Sequence, residues 1–212
     1  MAPRMQTAGL SGIISGLAIL AGFVLFFYSG FTPAVASDPA KAIEWVNANL
    51  SRLRLTSAVF LIGVGFAIIF IAGLAEKLRA RTPTRATATL YLALLGLAGY
   101  GIGGLIFWRS LPALAATGDQ VAASHAWVAA YALDQAVEGF GNLFTGLATL
   151  FAGWAIVETK VLNSTLGWFG LLAGVVSVLS FLVPGNEALG LGTFLLPAVW
   201  LIWGGSALRR AM

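Results

Sequence analysis

Asp134 and Glu138 are two carboxylates one helical turn apart inside a long apolar stretch of a 212-residue chain. A four-residue step puts both on one face of a helix. Tyr131, Asn142, Thr145 and Thr149 continue that face at steps of three or four, with Gln135 beside it, while Val137, Phe140, Leu143, Phe144 and Leu147 cover the rest. Such a stripe is excluded from lipid, because an unpaired polar group in hydrocarbon is costly. It must face protein or a hydrated cavity. Two chemistries suit it. The simpler is ion pairing: Arg52, Arg54 and Arg109 are the available cations, and bidentate arginine–carboxylate contacts would hold three helices in register. The sharper is a small-molecule or ion site. Two charged carboxylates this close repel each other, so they favour a proton or a cation, and Asn142 and Thr145 would extend a polar path inward.

Other chemistries lack residues. The chain has no cysteine, so it has no thiolate, disulfide or iron–sulfur chemistry, and its single histidine, His125, cannot build a multi-histidine metal or haem site. His125 follows Ser124, a candidate helix cap, and reads as an interfacial residue. Ser11-Gly12 and Ser15-Gly16 resemble serine–glycine motifs, but no histidine at membrane depth is available to activate a hydroxyl. The expectation is a non-catalytic protein with no catalytic residue, cofactor or metal.

The elements that position the stripe follow from composition. The chain is 59% hydrophobic and 9% charged, far below the roughly 25% charge of soluble domains. Apolar runs of about 20 residues place helices near 7–28, 53–75, 87–108, 126–157, 165–183 and 188–208. This is an all-α membrane protein, a six-helix bundle in a single polytopic domain spanning 1–212. The run from Ala8 to Phe31 exceeds a signal-peptide core and carries Gly12 and Gly16, so it reads as an uncleaved first helix despite Ala34-Val35-Ala36.

Charge orients the bundle. Arg4, Lys77, Arg79, Arg81, Arg85, Lys160, Arg209 and Arg210 fall at one end; Lys41, Arg52, Arg54 and Arg109 fall at the other. The positive-inside rule then puts the N- and C-termini in the cytoplasm. The same scatter of basic residues argues against nucleic acid as a partner. Trp108 and Trp127 at outer ends, with Trp154, Trp168 and Trp203 at inner ends, suggest interfacial belts. Counting about 20 residues back from Glu158 puts Glu138 near the outer edge of the hydrocarbon, with Asp134 one turn further out.

Two smaller features complete the map. Ser37-Asp38-Pro39 is a helix-start signal, and Ile43, Val46 and Leu50 follow at helical spacing, so 37–52 is expected to form an outer amphipathic segment. Pro184-Gly185-Asn186 signals a tight turn. Thr7-x-Gly9-x-x-Gly12-x-x-x-Gly16 recurs as Thr165-x-Gly167-x-x-Gly170-x-x-x-Gly174, a spacing that lets membrane helices approach closely.

Arg52-Leu53-Arg54 entering the second helix, Asn142-Leu-Phe-Thr-Gly146, Gly153 and Leu166-Gly-Trp-Phe-Gly-Leu-Leu-Ala-Gly174 together resemble a bacterial family of six-helix membrane proteins whose domain has no known function. The resemblance covers nearly the whole chain. It implies the fold and a cytoplasmic (inner) membrane location, and it brings no substrate, cofactor or catalytic residue. The expected role is an accessory or binding protein with a polar acidic pocket near the outer face. A small transporter, or a transporter subunit, is the alternative. Its partners would be membrane lipids and other membrane subunits.

Overall fold

A chain crossing lipid must satisfy every backbone amide within itself, and runs this apolar therefore fold as helices. The computed structural model describes residues 2–116 and 118–210, with the backbone alone for Ala2, Pro3, Pro33, Phe107, Trp108 and Ala115. It consists of α1 (Ala2–Phe27), α2 (Pro33–Ala36), α3 (Pro39–Arg79), α4 (Pro83–Leu105), a π-helical turn (Ile106–Ser110), α5 (Leu111–Ala115), α6 (Gln120–Thr159), α7 (Ser164–Leu182) and α8 (Glu187–Arg210). No strand occurs among the described residues. Six helices (α1, α3, α4, α6, α7 and α8) are long and apolar enough to cross a membrane. The protein is a multi-pass, all-α membrane protein. The six crossings close a ring in chain order, with α8 returning to pack on α1. Both described chain ends lie at the end carrying Arg79, Arg81, Arg85 and Lys160, called here the basic end.

Local chemistry sets the helix starts. The Asp38 carboxylate accepts hydrogen bonds from the amides of Ala40 and Lys41 at 3.2 and 3.3 Å, and Pro39 occupies the first turn of α3. The Lys41 ammonium, 3.1 Å away, and those amides hold the Asp38 carboxyl below the usual carboxylate range. The cap of α6 is Asp119, which accepts from Val121 and Ala122, and not Ser124. Gly185 takes φ +82° in the α7–α8 turn, a conformation glycine adopts without steric cost, and the Asn186 side chain accepts from the Leu189 amide.

Of the 37–52 segment, residues 39–52 are helical and continuous with the second crossing, with a kink centred on Asn49 (φ −116°, ψ 17°). It packs on protein: Ala42, Ile43, Trp45 and Val46 are buried together with Leu53, Ile106, Leu111, Ala123 and Trp127. This second core caps the end of the bundle opposite the basic one. A larger core, with Phe70, Leu74, Leu78, Ile156, Leu166, Trp200 and Leu208, fills the basic half. At 40 residues α6 is about 60 Å long, roughly twice the hydrocarbon thickness. Its first turns therefore belong to the cap. Trp127 is accordingly a cap core residue, 1% exposed, and not part of an interfacial belt; the Trp108 side chain lies outside the described residues. Trp154 and Trp168 at the basic end are exposed.

The two glycine series serve different contacts. Gly9 and Gly16 meet α8 and Gly12 meets α8 and Phe70 of α3, whereas Gly167 and Gly174 meet α6 and Gly170 meets Trp200 of α8 and Gly153 of α6. The tightest backbone approach on α6 and α7 includes Gly153: a Cβ there would stand 2.7 Å from the Gly167 carbonyl oxygen and 2.8 Å from the Leu171 nitrogen. Gly153→Ala should therefore force the helices apart and destabilise the protein by about 1–3 kcal/mol. Gly101→Ala, where a Cβ meets nothing within 4 Å, should be near neutral. Thermal unfolding of both variants in one detergent checks the contrast.

Candidate functional site

Between the two cores the packing leaves a cavity of about 420 Å³. Every crossing except α7 contributes to its wall, and Phe31, Thr32 and Ala36 of the cap roof it. Its polar groups are Thr32, Thr56, Ser57, Tyr100, Tyr131, Asp134, Gln135 and Glu138; aromatic rings from Phe23, Phe26, Phe31, Phe60 and Phe194 make up much of the remainder. Thr32 and Gln135 are the exposed residues of this lining.

The carboxylates sit where the helical face places them. Asp134 is 6% exposed. Room for it comes from α4: a Cβ on Gly103 would lie 3.1 Å from Asp134 Oδ1. Glu138, half-buried, follows one turn deeper. Among the described residues no group donates a hydrogen bond to either carboxylate, and no cation lies within ion-pairing distance. The ion-pair expectation for Arg52, Arg54 and Arg109 is therefore corrected. Arg52 donates to the Tyr28 carbonyl oxygen at 3.1 Å, and Arg54 and Arg109 are exposed. A guanidinium at the rim keeps its water, since burial would cost more than one contact returns. Arg85 does form a pair, with Glu158 at the basic end, and it lies over the Trp154 ring at 4.1 Å.

The polar stripe divides at Tyr100. Tyr131, Asp134, Gln135 and Glu138 line the cavity. Asn142 and Thr145 do not; they hold its floor. The Tyr100 hydroxyl donates to Asn142 Oδ1 at 2.5 Å and lies 3.4 Å from Thr145 Oγ1. Asn142 Nδ2 in turn donates to Ser180 Oγ at 3.3 Å, tying α4, α6 and α7 together. Below Tyr100 lies a second cavity of about 70 Å³, lined by Thr145, Thr149, Thr193 and Trp200 among others. Ile19, Phe60, Tyr100 and Phe194 border both cavities and act as the partition.

Sequence reasoning missed Thr56, Ser57 and Tyr100. Thr56 Oγ1 is buried with no hydrogen-bond partner, and Ser57 is 4% exposed. The available signal was two adjacent hydroxyls inside the second apolar run and a tyrosine flanked by glycines in the third.

Compared with known proteins, the chain matches over residues 14–205 the model of a family described as a domain of unknown function, DUF4386. No curated protein and no solved structure matches it.

Proposed function

The chain belongs to the DUF4386 family, and from that premise, a shared fold without an assigned activity, we propose that it is a non-catalytic membrane protein with a binding or accessory role. Its acidic pocket holds a small molecule. The observation that carries this reading is the pair Asp134 and Glu138, lining a cavity of about 420 Å³ without a donor or cation from the described residues. Carboxylates serving packing alone are paired, because an unpaired one is strongly destabilising. A cavity of this size with apolar walls and a few convergent polar groups is the ordinary form of a ligand site. The uneven division of basic residues between the ends supports cytoplasmic termini and a pocket near the outer face, and the resemblance to a bacterial membrane family implies a cytoplasmic membrane as its home. Lipids surround it there, and other membrane subunits are candidate partners.

A second reading, a small transporter or transporter subunit, draws on the cavity beneath Tyr100. Movement of the Tyr100–Phe60 partition would join the two spaces, and Pro197, which lines the lower one, removes a backbone donor within α8 and loosens that helix.

Native mass spectrometry of gently extracted protein tests the binding reading. The expected result is a retained small molecule that disappears in Gly22→Leu. Gly22 lines the cavity and a Cβ there meets only ordinary contacts, the nearest at 3.7 Å; the larger side chain is expected to take up cavity volume, and an unchanged melting temperature checks that the helices keep their places. A bound species of equal occupancy in both proteins, or none in either, defeats the reading.

A further inference from the structure

The charge, walls and size of the cavity together select a chemical class. Asp134 and Glu138 bring negative charge, and among the described residues no lysine, arginine or histidine lines the cavity. Among the described residues the walls carry seven aromatic rings: Phe23, Phe26, Phe31, Phe60, Tyr100, Tyr131 and Phe194. Aromatic faces attract cations through their quadrupole, most strongly where water is excluded. A bare divalent ion is a poor match, since it needs six to eight oxygens at short range, and most of this wall is hydrocarbon. One observation independent of the acidic pair points to a ligand with hydrogen-bonding capacity. Ser57, 4% exposed, lines the same wall, and its hydroxyl has no partner among the described residues.

We propose that the cavity binds the ammonium group of an amphiphilic amine, with Asp134 and Glu138 holding the charge and the Phe26–Phe31–Phe60–Tyr131 rings enclosing the apolar body. This rests on the binding reading above and names its ligand class. The ammonium belongs either to a free amine or to an amine-bearing lipid headgroup such as phosphatidylethanolamine; both offer a primary ammonium, the lipid's at the end of a zwitterionic headgroup.

The test uses the full chain in nanodiscs of phosphatidylglycerol alone, with empty nanodiscs as the baseline. The probes are phenethylammonium and its uncharged carbon isostere, propylbenzene, measured by equilibrium dialysis. Binding of the cation above baseline, at least tenfold tighter than the isostere, is expected. Asp134→Asn with Glu138→Gln should weaken the cation at least tenfold and leave the isostere unchanged. Competition by added phosphatidylethanolamine identifies the lipid headgroup as the source, and absence of competition identifies a free amine. Equal binding of both probes, unaffected by the double variant, overturns the amine assignment and leaves the pocket intact. If neither probe binds and native mass spectrometry still finds a molecule lost in Gly22→Leu, the assignment again falls alone. If neither probe binds and no molecule is retained, both readings fall.

Discussion

Replacing Asp134 and Glu138 together by asparagine and glutamine is expected to raise the melting temperature of the ligand-free protein by roughly 5 °C while weakening the amine cation at least tenfold. The sign follows from the surroundings of the two groups. Each carboxylate lines a cavity that withdraws it from bulk water, and among the described residues none receives a hydrogen bond or an ion pair. A charge held this way is destabilising, and two of them one turn apart repel. Carboxamides keep the shape and remove both penalties, a gain of about 2 kcal/mol after the amides' own imperfect hydrogen bonding is discounted. A packing role gives the opposite sign, since breaking a buried ion pair costs about 3–5 kcal/mol. Differential scanning fluorimetry of the wild type, the double variant and Arg109→Ala in one detergent separates the two. Arg109→Ala, at an exposed residue, should leave the melting temperature unchanged. A fall in the double variant would place these carboxylates in the packing of the bundle and remove the ligand-site interpretation.

The second large effect concerns the roof. Trp127 is 1% exposed, stacks on Tyr131 with ring centroids 5.7 Å apart, meets the edge of Phe31 at 6.1 Å, and donates its indole N–H to the Ala36 carbonyl oxygen at 3.1 Å. One side chain thus joins the cap to the cavity wall. Trp127→Ala removes that ring from a packed core and should cost about 3–5 kcal/mol. The loss should be local: amides of residues 31–46 become rapidly exchanging, while those of the basic-half core around Phe70 and Ile156 keep their protection. Trp127→Phe retains the stacking and loses one hydrogen bond, for about 1 kcal/mol. Hydrogen exchange followed by mass spectrometry reads both variants. Unchanged exchange over 31–46 in Trp127→Ala would mean that Phe31, Trp45 and the Trp45 indole bond to the Ser29 carbonyl hold the cap without it.

The division of labour between sequence and tertiary structure follows the range of the forces involved. Helix number and approximate extent were legible because they depend on local apolarity and backbone satisfaction: the stretch expected near 165–183 is observed as Ser164–Leu182, and 188–208 as Glu187–Arg210. The face carrying Tyr131, Asp134, Gln135 and Glu138 was legible for the same reason, since helical periodicity alone aligns it. What that face meets was not. In sequence, Arg52, Arg54 and Arg109 are natural mates for the carboxylates, because opposite charges at similar depth attract. In space the cap places a roof of Phe31 and Ala36 over the acidic face, Gly103 opens room beside Asp134, and the arginines are left at the rim. The lower part of the stripe met a similar fate: Asn142 and Thr145, which in sequence continue a polar path, are joined to Tyr100 from another helix and become its floor. The chain by itself determined six crossings and one polar flank. Only the packing of α1, α3, α4, α6 and α8 decided that this flank encloses a cavity, because which side chains share a space depends on contacts between residues distant in sequence, and no local periodicity encodes them.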